Sequence, residues 1–190
     1  PDDRCADCRR RPRAFRVARA AGLYEGELRR FVHRLKFRRE RRLAGPLGRL
    51  LVPAWRGCPE LRAGQLLVPV PLSPDRLAER GFNQAEELAL ALGAGIRRPV
   101  AADALRRSAT GAAQSLRSRA GRAAVREGVF QPFRPGAVAG RRVVLVDDVL
   151  TTGSTAEACT LALLRAGAVS VDVLTVAVAV APAEKVGTGW

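Results

Sequence analysis

The stretch VVLVDDVLTTGST, residues 143 to 155, decides the fold of this chain. Four consecutive branched apolar residues predict a strand that is covered on both faces. Asp147 and Asp148 follow at its carboxyl end, where open parallel sheets place their ligands. Residues 155–165 are predicted to form a helix and residues 170–180 another strand, which makes a parallel unit of an α/β fold.

A turn of small residues after the two acids predicts a phosphate site. It consists of Thr151, Thr152, Gly153, Ser154 and Thr155. Backbone N–H groups, hydroxyls and the positive end of the following helix can all bind an anion there. Carboxylates beside a phosphate need hydrogen-bond donors or positive charge, which a vicinal diol or a hydrated divalent metal supplies. A sugar phosphate combines these features, and the stretch looks like the phosphoribosyl pyrophosphate signature of type I phosphoribosyltransferases.

Other nucleotide-binding and phosphate-binding motifs fit the same residues less well. A P-loop needs Gly-Lys-Ser/Thr and a dinucleotide fold needs spaced glycines, and the stretch contains neither. A response-regulator receiver needs a phosphoacceptor aspartate several elements later, but only Asp172 follows, inside the next predicted strand. An acidic turn that merely caps a helix stays open as a structural explanation.

A second motif carries the resemblance further. PVPLSP at residues 69–74 and RGFNQ at residues 80–84 resemble blocks of the ComF family, as do the element at residues 24–37 and the QSL at residues 114–116. The resemblance covers roughly residues 5–180. It implies an α/β type I phosphoribosyltransferase fold, with a central parallel sheet flanked by helices and a small N-terminal cysteine-containing appendage. The implied domains are a partial zinc-ribbon-like appendage over residues 1–22 and a phosphoribosyltransferase-like domain over residues 23–190.

The resemblance also implies roles for individual residues. In related transferases the loop after the first strand holds pyrophosphate, and by position this loop corresponds to residues 71–81. Guanidinium groups bind phosphate oxygens through paired hydrogen bonds, which favours Arg80 over Arg76 as the main contact. The candidate residues in this loop are Leu72, Ser73, Arg76 and Arg80. In the flexible catalytic loop that the resemblance places at residues 106–119, they are Arg107, Gln114 and Arg119.

The implied activity is transfer of a phosphoribosyl group from phosphoribosyl pyrophosphate, with Mg²⁺, to an acceptor that the sequence leaves unidentified. Asp147, Asp148 and Arg80 are the expected catalytic residues. The alternative is a non-catalytic nucleotide-sensing or DNA-binding accessory module in competence and DNA uptake. Its expected partners are single-stranded DNA or competence helicase proteins.

Cys5 and Cys8 have the spacing of half a structural zinc site. Members of the ComF family usually carry a second cysteine pair just upstream. Zn²⁺ is therefore expected only if such a pair exists in the intact protein.

The chain is strongly basic, with a formal net charge of +15. Such a field attracts polyanions of any kind, although a genome rich in arginine codons would produce the same excess. Residues 25–37 show a helical period whose apolar side carries Phe31, while the arginines lie on the other side. Together with Tyr24 and Phe37 these arginines resemble a platform for single-stranded nucleic acid. No apolar run reaches the length of a membrane span and no signal-peptide core opens the chain, so a cytoplasmic location is expected.

The remaining elements are predicted from the spacing of apolar residues and from the positions of glycine and proline. Helices are expected over residues 41–51 and 84–92 and a strand over residues 65–70, with loops over residues 53–64 and 106–122.

Overall fold

The computed structural model describes residues 12–108 and 129–180 of the chain. Its strands are β1 (Ala18–Leu23), β2 (Leu66–Pro69), β3 (Leu105–Arg107), β4 (Phe130–Pro132), β5 (Arg142–Leu150) and β6 (Ser170–Val178). Four of these form a parallel sheet in the order β1-β6-β5-β2, and β3 pairs with β4 in a separate antiparallel ribbon. β5 and β6 therefore lie at the centre of the sheet.

Helices connect the strands and cover the sheet. They are α1 (Gly26–Phe37), α2 (Ala44–Gly57), α3 (Pro59–Arg62), α4 (Pro74–Arg80), α5 (Gln84–Ile96), α6 (Pro135–Val138) and α7 (Ser154–Arg165), with a 3₁₀ turn at Arg41–Leu43. The order β5, α7, β6 is the parallel unit predicted from the sequence. The α/β fold class is thereby confirmed, with a central parallel sheet flanked by helices. Across the described ranges, no helix is both long enough and apolar enough to cross a bilayer.

Side chains alternate along β5 and divide the hydrophobic core into two layers. Val143 and Leu145 face the layer that contains Leu163 of α7. Val144 and Val146 face the opposite layer, which is built from α1, α2 and α5. All four residues of this run are completely buried. The unbroken apolar run is thus explained by cover on both faces of the sheet.

Several predicted elements have different ends in the structure. α2 continues to Gly57 through Pro53, and α3 follows it, where the sequence predicts a loop. α2 packs closely on α5 at Gly48, where a built Cβ would lie 2.9 Å from the Leu88 carbonyl oxygen. β5 also runs longer than predicted, through Asp147 and Asp148 to Leu150.

The N-terminal segment joins the main domain from residue 12 onward. β1 spans the domain boundary that is expected between residues 22 and 23, and it pairs with β6. Phe15 is buried in the core layer beside α7, and Arg16 donates two hydrogen bonds to Asp172, at 3.1 and 2.6 Å. The described part of the expected appendage is therefore continuous with the sheet, and residues 1–11 lie outside the described part of the chain.

Candidate functional site

The predicted phosphate cradle is the turn between β5 and α7. Gly153 begins the turn into the helix with φ of +74°, a left-handed conformation that favours glycine. The hydroxyls of Thr152 and Ser154 lie 2.9 Å apart, and the Ser154 N–H donates to Thr152 Oγ1 at 3.4 Å. The N–H groups of the first turn of α7 need partners outside the helix, and the helix is long enough for its dipole to favour an anion.

This turn borders a cavity of about 30 Å³ at the carboxyl ends of β5 and β6. The lining residues are Asp147, Val149, Leu150, Thr151, Gly153, Ser154, Thr155, Ala156, Val173 and Thr175. Because a single water needs roughly half of such a volume, the cavity can enclose only the end of a larger ligand. The acid and the cradle nevertheless share one pocket, as the sequence predicts.

Asp147 is the acid that faces this pocket, and its chemistry is unusual. Burial, followed by the nearby charge of Asp148, raises the pKa of Asp147 to about 8. Its Oδ1 accepts the backbone N–H of Asp148 at 2.8 Å, which opposes the rise only in part. A carboxyl in this state gains from a ligand that donates hydrogen bonds or carries positive charge.

Asp148 lies on the other face of the sheet, because consecutive residues of a strand point in opposite directions. Its side chain is 3% exposed, and Lys36 Nζ of α1 lies 2.8 Å from its Oδ1. Its second oxygen, Oδ2, is buried and accepts no hydrogen bond from the described residues. The sequence predicts that both carboxylates face one ligand site, whereas the structure brings Asp147 to the cradle and Asp148 to Lys36.

The arginines expected from the resemblance fall into two groups. Arg80 is 9% exposed, donates to Gln84 Oε1 at 2.9 Å, and stacks on Phe37 with Cζ 5.5 Å from the ring centre. Arg107 lies on β3, where burial and then the nearby charge of Arg76 lower its pKa. Arg107 and Asp147 are both close enough to the buried Cys159 to act on its thiol electrostatically.

Ser73 caps the start of α4 and does not face solvent. It is buried, and its hydroxyl accepts the Arg76 N–H at 3.4 Å at the start of α4, while Leu72 just before it is half-buried. The Arg76 side chain itself is exposed. Gln114 and Arg119 lie outside the described residues, as do Cys5 and Cys8.

Two residues at the site are absent from the sequence-based set. Arg13 Nη2 donates to the Thr152 carbonyl at 2.9 Å, so a guanidinium lies against the cradle. Lys36 reaches Asp148 from α1. Both contacts join segments more than a hundred residues apart, which explains why neither follows from local pattern. The one available signal is composition, because Lys36 and Lys185 are the only lysines among 33 basic residues.

The residues present fit Mg²⁺ only if the ligand supplies part of its coordination. Among residues 12–108 and 129–180, no group of three or more His, Cys, Asp or Glu side chains is placed to hold a metal ion. Mg²⁺ is commonly held by one or two carboxylates together with substrate phosphates. The orphaned Oδ2 of Asp148 and the carboxyl of Asp147 are oxygen donors of that kind.

The outer side of α1 forms a basic groove of about 470 Å³. We define the basic groove by its lining residues, Gly26, Arg29, Arg30, His33, Arg34 and Arg38. At its end the His33 and Phe37 rings lie 4.6 Å apart, and Phe37 is 61% exposed. Phe31, by contrast, is partly buried against the core, as its place in the helical period predicts.

Comparison with known proteins shows relatives over most of the chain. The chain is 34% identical over 172 residues to the DNA utilization protein YhgH of Escherichia coli K12, covering 89% of this chain and 75% of the relative. It is 36% identical over 103 residues to the competence protein ComFC of Streptococcus pneumoniae R6, covering 53% of this chain and 42% of the relative. No protein-family profile matches the chain.

Among solved structures, a glutamine phosphoribosylpyrophosphate amidotransferase from B. subtilis, complexed with ADP and GMP, aligns with a TM-score of 0.48 and 21% identity. The alignment covers 69% of this chain and 25% of that one, so the chain spans about a quarter of the amidotransferase.

Proposed function

Because this chain belongs to the ComF family of competence and DNA-utilization proteins, we propose that it binds phosphoribosyl pyrophosphate with Mg²⁺ and transfers the phosphoribosyl group to a nucleophilic acceptor. One observation carries the proposal: Asp147 and the small-residue turn before α7 line the same pocket at the carboxyl edge of the sheet. An anion cradle beside a raised-pKa carboxyl matches a ligand with a phosphate at one end and hydroxyls next to it.

In this proposal the 5′-phosphate lies on the turn from Thr151 to Thr155. The amides at the start of α7 and the hydroxyls of the turn donate to its oxygens, and Arg13 adds positive charge behind the Thr152 carbonyl. The enclosed volume of about 30 Å³ admits only this end of the ligand. The ribose then lies at the edge of the sheet, where Asp147 accepts hydrogen bonds from its hydroxyls.

The proposed reaction breaks the bond between the anomeric carbon and the pyrophosphate oxygen, while the acceptor's lone pair forms the new bond and its proton passes to solvent. Negative charge grows on the departing pyrophosphate, which cations close to the edge of the sheet stabilise. Arg80, and Arg107 with Arg76, are the candidate guanidinium groups. Mg²⁺ held by the ligand would supply further positive charge at the leaving group. The carboxylates offset positive character on the ribose ring.

Isothermal titration with phosphoribosyl pyrophosphate and Mg²⁺ tests the binding step. The Asp147→Asn/Asp148→Asn variant should bind at least ten-fold more weakly, a loss of about 1.4 kcal/mol. Asp103→Asn is the matched control, because Asp103 is exposed, pairs with Arg134 and does not line the pocket. Equal affinity in the double variant and the control would refute the proposal. Pyrophosphate release with candidate acceptors then separates transfer from binding alone.

The basic groove favours a second candidate function, binding of single-stranded DNA as an accessory module in DNA uptake. Its arginines provide phosphate contacts, and the exposed Phe37 provides a ring on which a base can stack. Arg30 and Arg34 are paired with Glu27 and Glu40, so the groove keeps positive charge chiefly through Arg29 and Arg38.

The salt dependence of single-stranded DNA binding tests this candidate. Replacing Arg29 and Arg38 by Gln should reduce the slope of log K against log salt by about 1.4, since each phosphate contact contributes about 0.7. A variant with Gln at the exposed Arg49 and Arg56 carries the same charge change elsewhere and should keep the steep slope. Equal slopes in the two variants would remove the groove from the proposal. A cytoplasmic location and contact with competence helicases stay predictions.

A further inference from the structure

Lys36 is a residue of the site that lies outside both the stretch at residues 143–155 and the motif at residues 69–84. It belongs to the last turn of α1 and is one of two lysines in a chain with 33 basic residues. Its ammonium lies 2.8 Å from Asp148 Oδ1, and the two side chains are 19% and 3% exposed. The pair therefore lies at the edge of the protein interior, on the face of β5 opposite the phosphate cradle.

The Lys36–Asp148 pair is incomplete as a structural contact. An ammonium has three N–H donors and a carboxylate accepts through both oxygens. The contact uses Oδ1, whereas Oδ2 is buried and accepts no hydrogen bond from the described residues. An ion pair that only stabilised the fold would be expected to satisfy its buried atoms, because an unpaired buried polar atom costs free energy.

Arg80 places a second cation at the same end of the sheet. Phe37, the residue after Lys36, lies under the Arg80 guanidinium at 5.5 Å. Arg80 is 9% exposed and uses Nη1 to donate to Gln84, so packing holds its plane in place. Because β2, which leads to Arg80, pairs in parallel with β5, Arg80 follows one strand end and Asp148 lies near the next. The contact with Phe37 therefore brings the Arg80 guanidinium to the helix end that carries Lys36.

We propose that Lys36 is an anion-binding residue for the diphosphate end of the ligand and that Asp148 holds it in place while the site is empty. This inference rests on the proposed function, because it names the residue that receives the leaving group. A diphosphate accepts hydrogen bonds from the Lys36 donors that Asp148 leaves unused. Lys36 and Arg80 thus form one anion subsite, on the opposite face of β5 from the cradle that binds the 5′-phosphate.

Because the sequence contains only two lysines, NMR can observe the Lys36 side chain directly. Biosynthetic labelling with ¹³C-lysine gives two lysine Cε resonances, and the Lys185→Arg variant leaves that of Lys36. Titration of that variant with inorganic pyrophosphate, with and without Mg²⁺, should shift the Lys36 resonance along a saturable curve. No substitution at the site is needed, so a folding defect cannot hide the result. A resonance that stays in place at saturating pyrophosphate overturns the inference.

Variants at position 36 supply the second measurement. Lys36→Gln should weaken pyrophosphate binding by ten-fold or more in isothermal titration, and Lys36→Arg, which keeps the charge, should recover part of that loss. Arg49→Gln is the matched control, because it removes one positive charge from the exposed side of α2, outside the basic groove, and should change the affinity less than two-fold. Equal binding by wild type and Lys36→Gln overturns the inference.

Parallel titrations with phosphoribosyl pyrophosphate separate this inference from the proposed function. Binding of that ligand that depends on Asp147, without a response of Lys36, refutes the Lys36 subsite and leaves the proposed function intact. A response of Lys36 to pyrophosphate, with no Asp147-dependent binding of phosphoribosyl pyrophosphate, supports the anion subsite and refutes the proposed ligand. The absence of both responses refutes both.

Discussion

Binding of phosphoribosyl pyrophosphate should expel a proton from Asp147. Burial and the neighbouring Asp148 charge raise the pKa of Asp147 to about 8. Such a group is about 90% protonated at pH 7 and about 10% protonated at pH 9. Ribose hydroxyls donate hydrogen bonds to the ionised form, so binding favours loss of the proton. We therefore expect release of about 0.9 proton at pH 7 and about 0.1 at pH 9 from this residue.

Calorimetry in buffers with different ionisation enthalpies measures this number directly, because the slope of the observed enthalpy against the buffer enthalpy gives the protons exchanged. The ligand's own phosphates also titrate, so Asp147→Asn provides the baseline. The difference between wild type and Asp147→Asn should be large at pH 7 and nearly absent at pH 9. The same difference at both pH values would show that Asp147 does not supply the proton.

The raised pKa of Asp147 also affects the free energy of unfolding of the ligand-free protein. The pKa of Asp147 in the folded chain, about 8, lies above the ordinary value of 3.8. The folded chain therefore binds more protons than the unfolded chain between about pH 4 and pH 8, and the free energy of unfolding falls as pH rises through that window. Asp147→Asn should flatten this dependence in denaturation measured from pH 5 to pH 9. Parallel curves for the two proteins would contradict the assigned environment.

Three substitutions test the framework around the site. Gly153→Ala should cost about 1 to 2 kcal/mol of stability, because φ of +74° disfavours a Cβ, and should weaken phosphate-ligand binding further. Gly48→Ala should cost about 1 to 3 kcal/mol through overpacking of α2 on α5 while leaving ligand affinity unchanged. Arg16→Ala should cost about 3 kcal/mol in chemical denaturation, because it leaves the completely buried Asp172 without its ion pair, and Asp172→Asn should restore part of the loss.

The central sheet and the cradle are predictable from the sequence because their signals are local. The VVLV run at residues 143–146 indicates a strand covered on both faces, and the small residues that follow favour a tight turn into a helix. Asn83 illustrates the same point at α5, where its side chain accepts the Ala85 N–H at 3.1 Å, as an N-cap should. The end of α5 is less predictable: the helix continues past Gly93 to Ile96 and ends where Arg97 adopts a left-handed conformation and donates its N–H to the Gly93 carbonyl.

The contacts to distant segments are not predictable in this way. Arg13 at the cradle and Lys36 at Asp148 depend on how β1 and α1 lie relative to β5, which no local period specifies. The helical period of residues 25–37 predicts that Lys36 lies with the solvent-facing arginines of α1. Its long side chain instead extends past the sheet edge, and its compact ammonium fits against a carboxylate that is almost completely buried.

Side chains on β5 point to alternate faces of the sheet, which determines how one ligand can contact both Asp147 and Asp148. Asp147 and Asp148 are adjacent in sequence but lie on opposite faces, because the strand continues through both to Leu150. A ligand that touches both must therefore cross the carboxyl edge of the sheet, with the cradle on one side and the Lys36–Arg80 cluster on the other. A pentose that carries a phosphate at one end and a diphosphate at the other spans such an edge. Asp147→Asn should then affect binding of the 5′-phosphate half more strongly, and Asp148→Asn the diphosphate half, when ribose 5-phosphate and pyrophosphate are titrated separately.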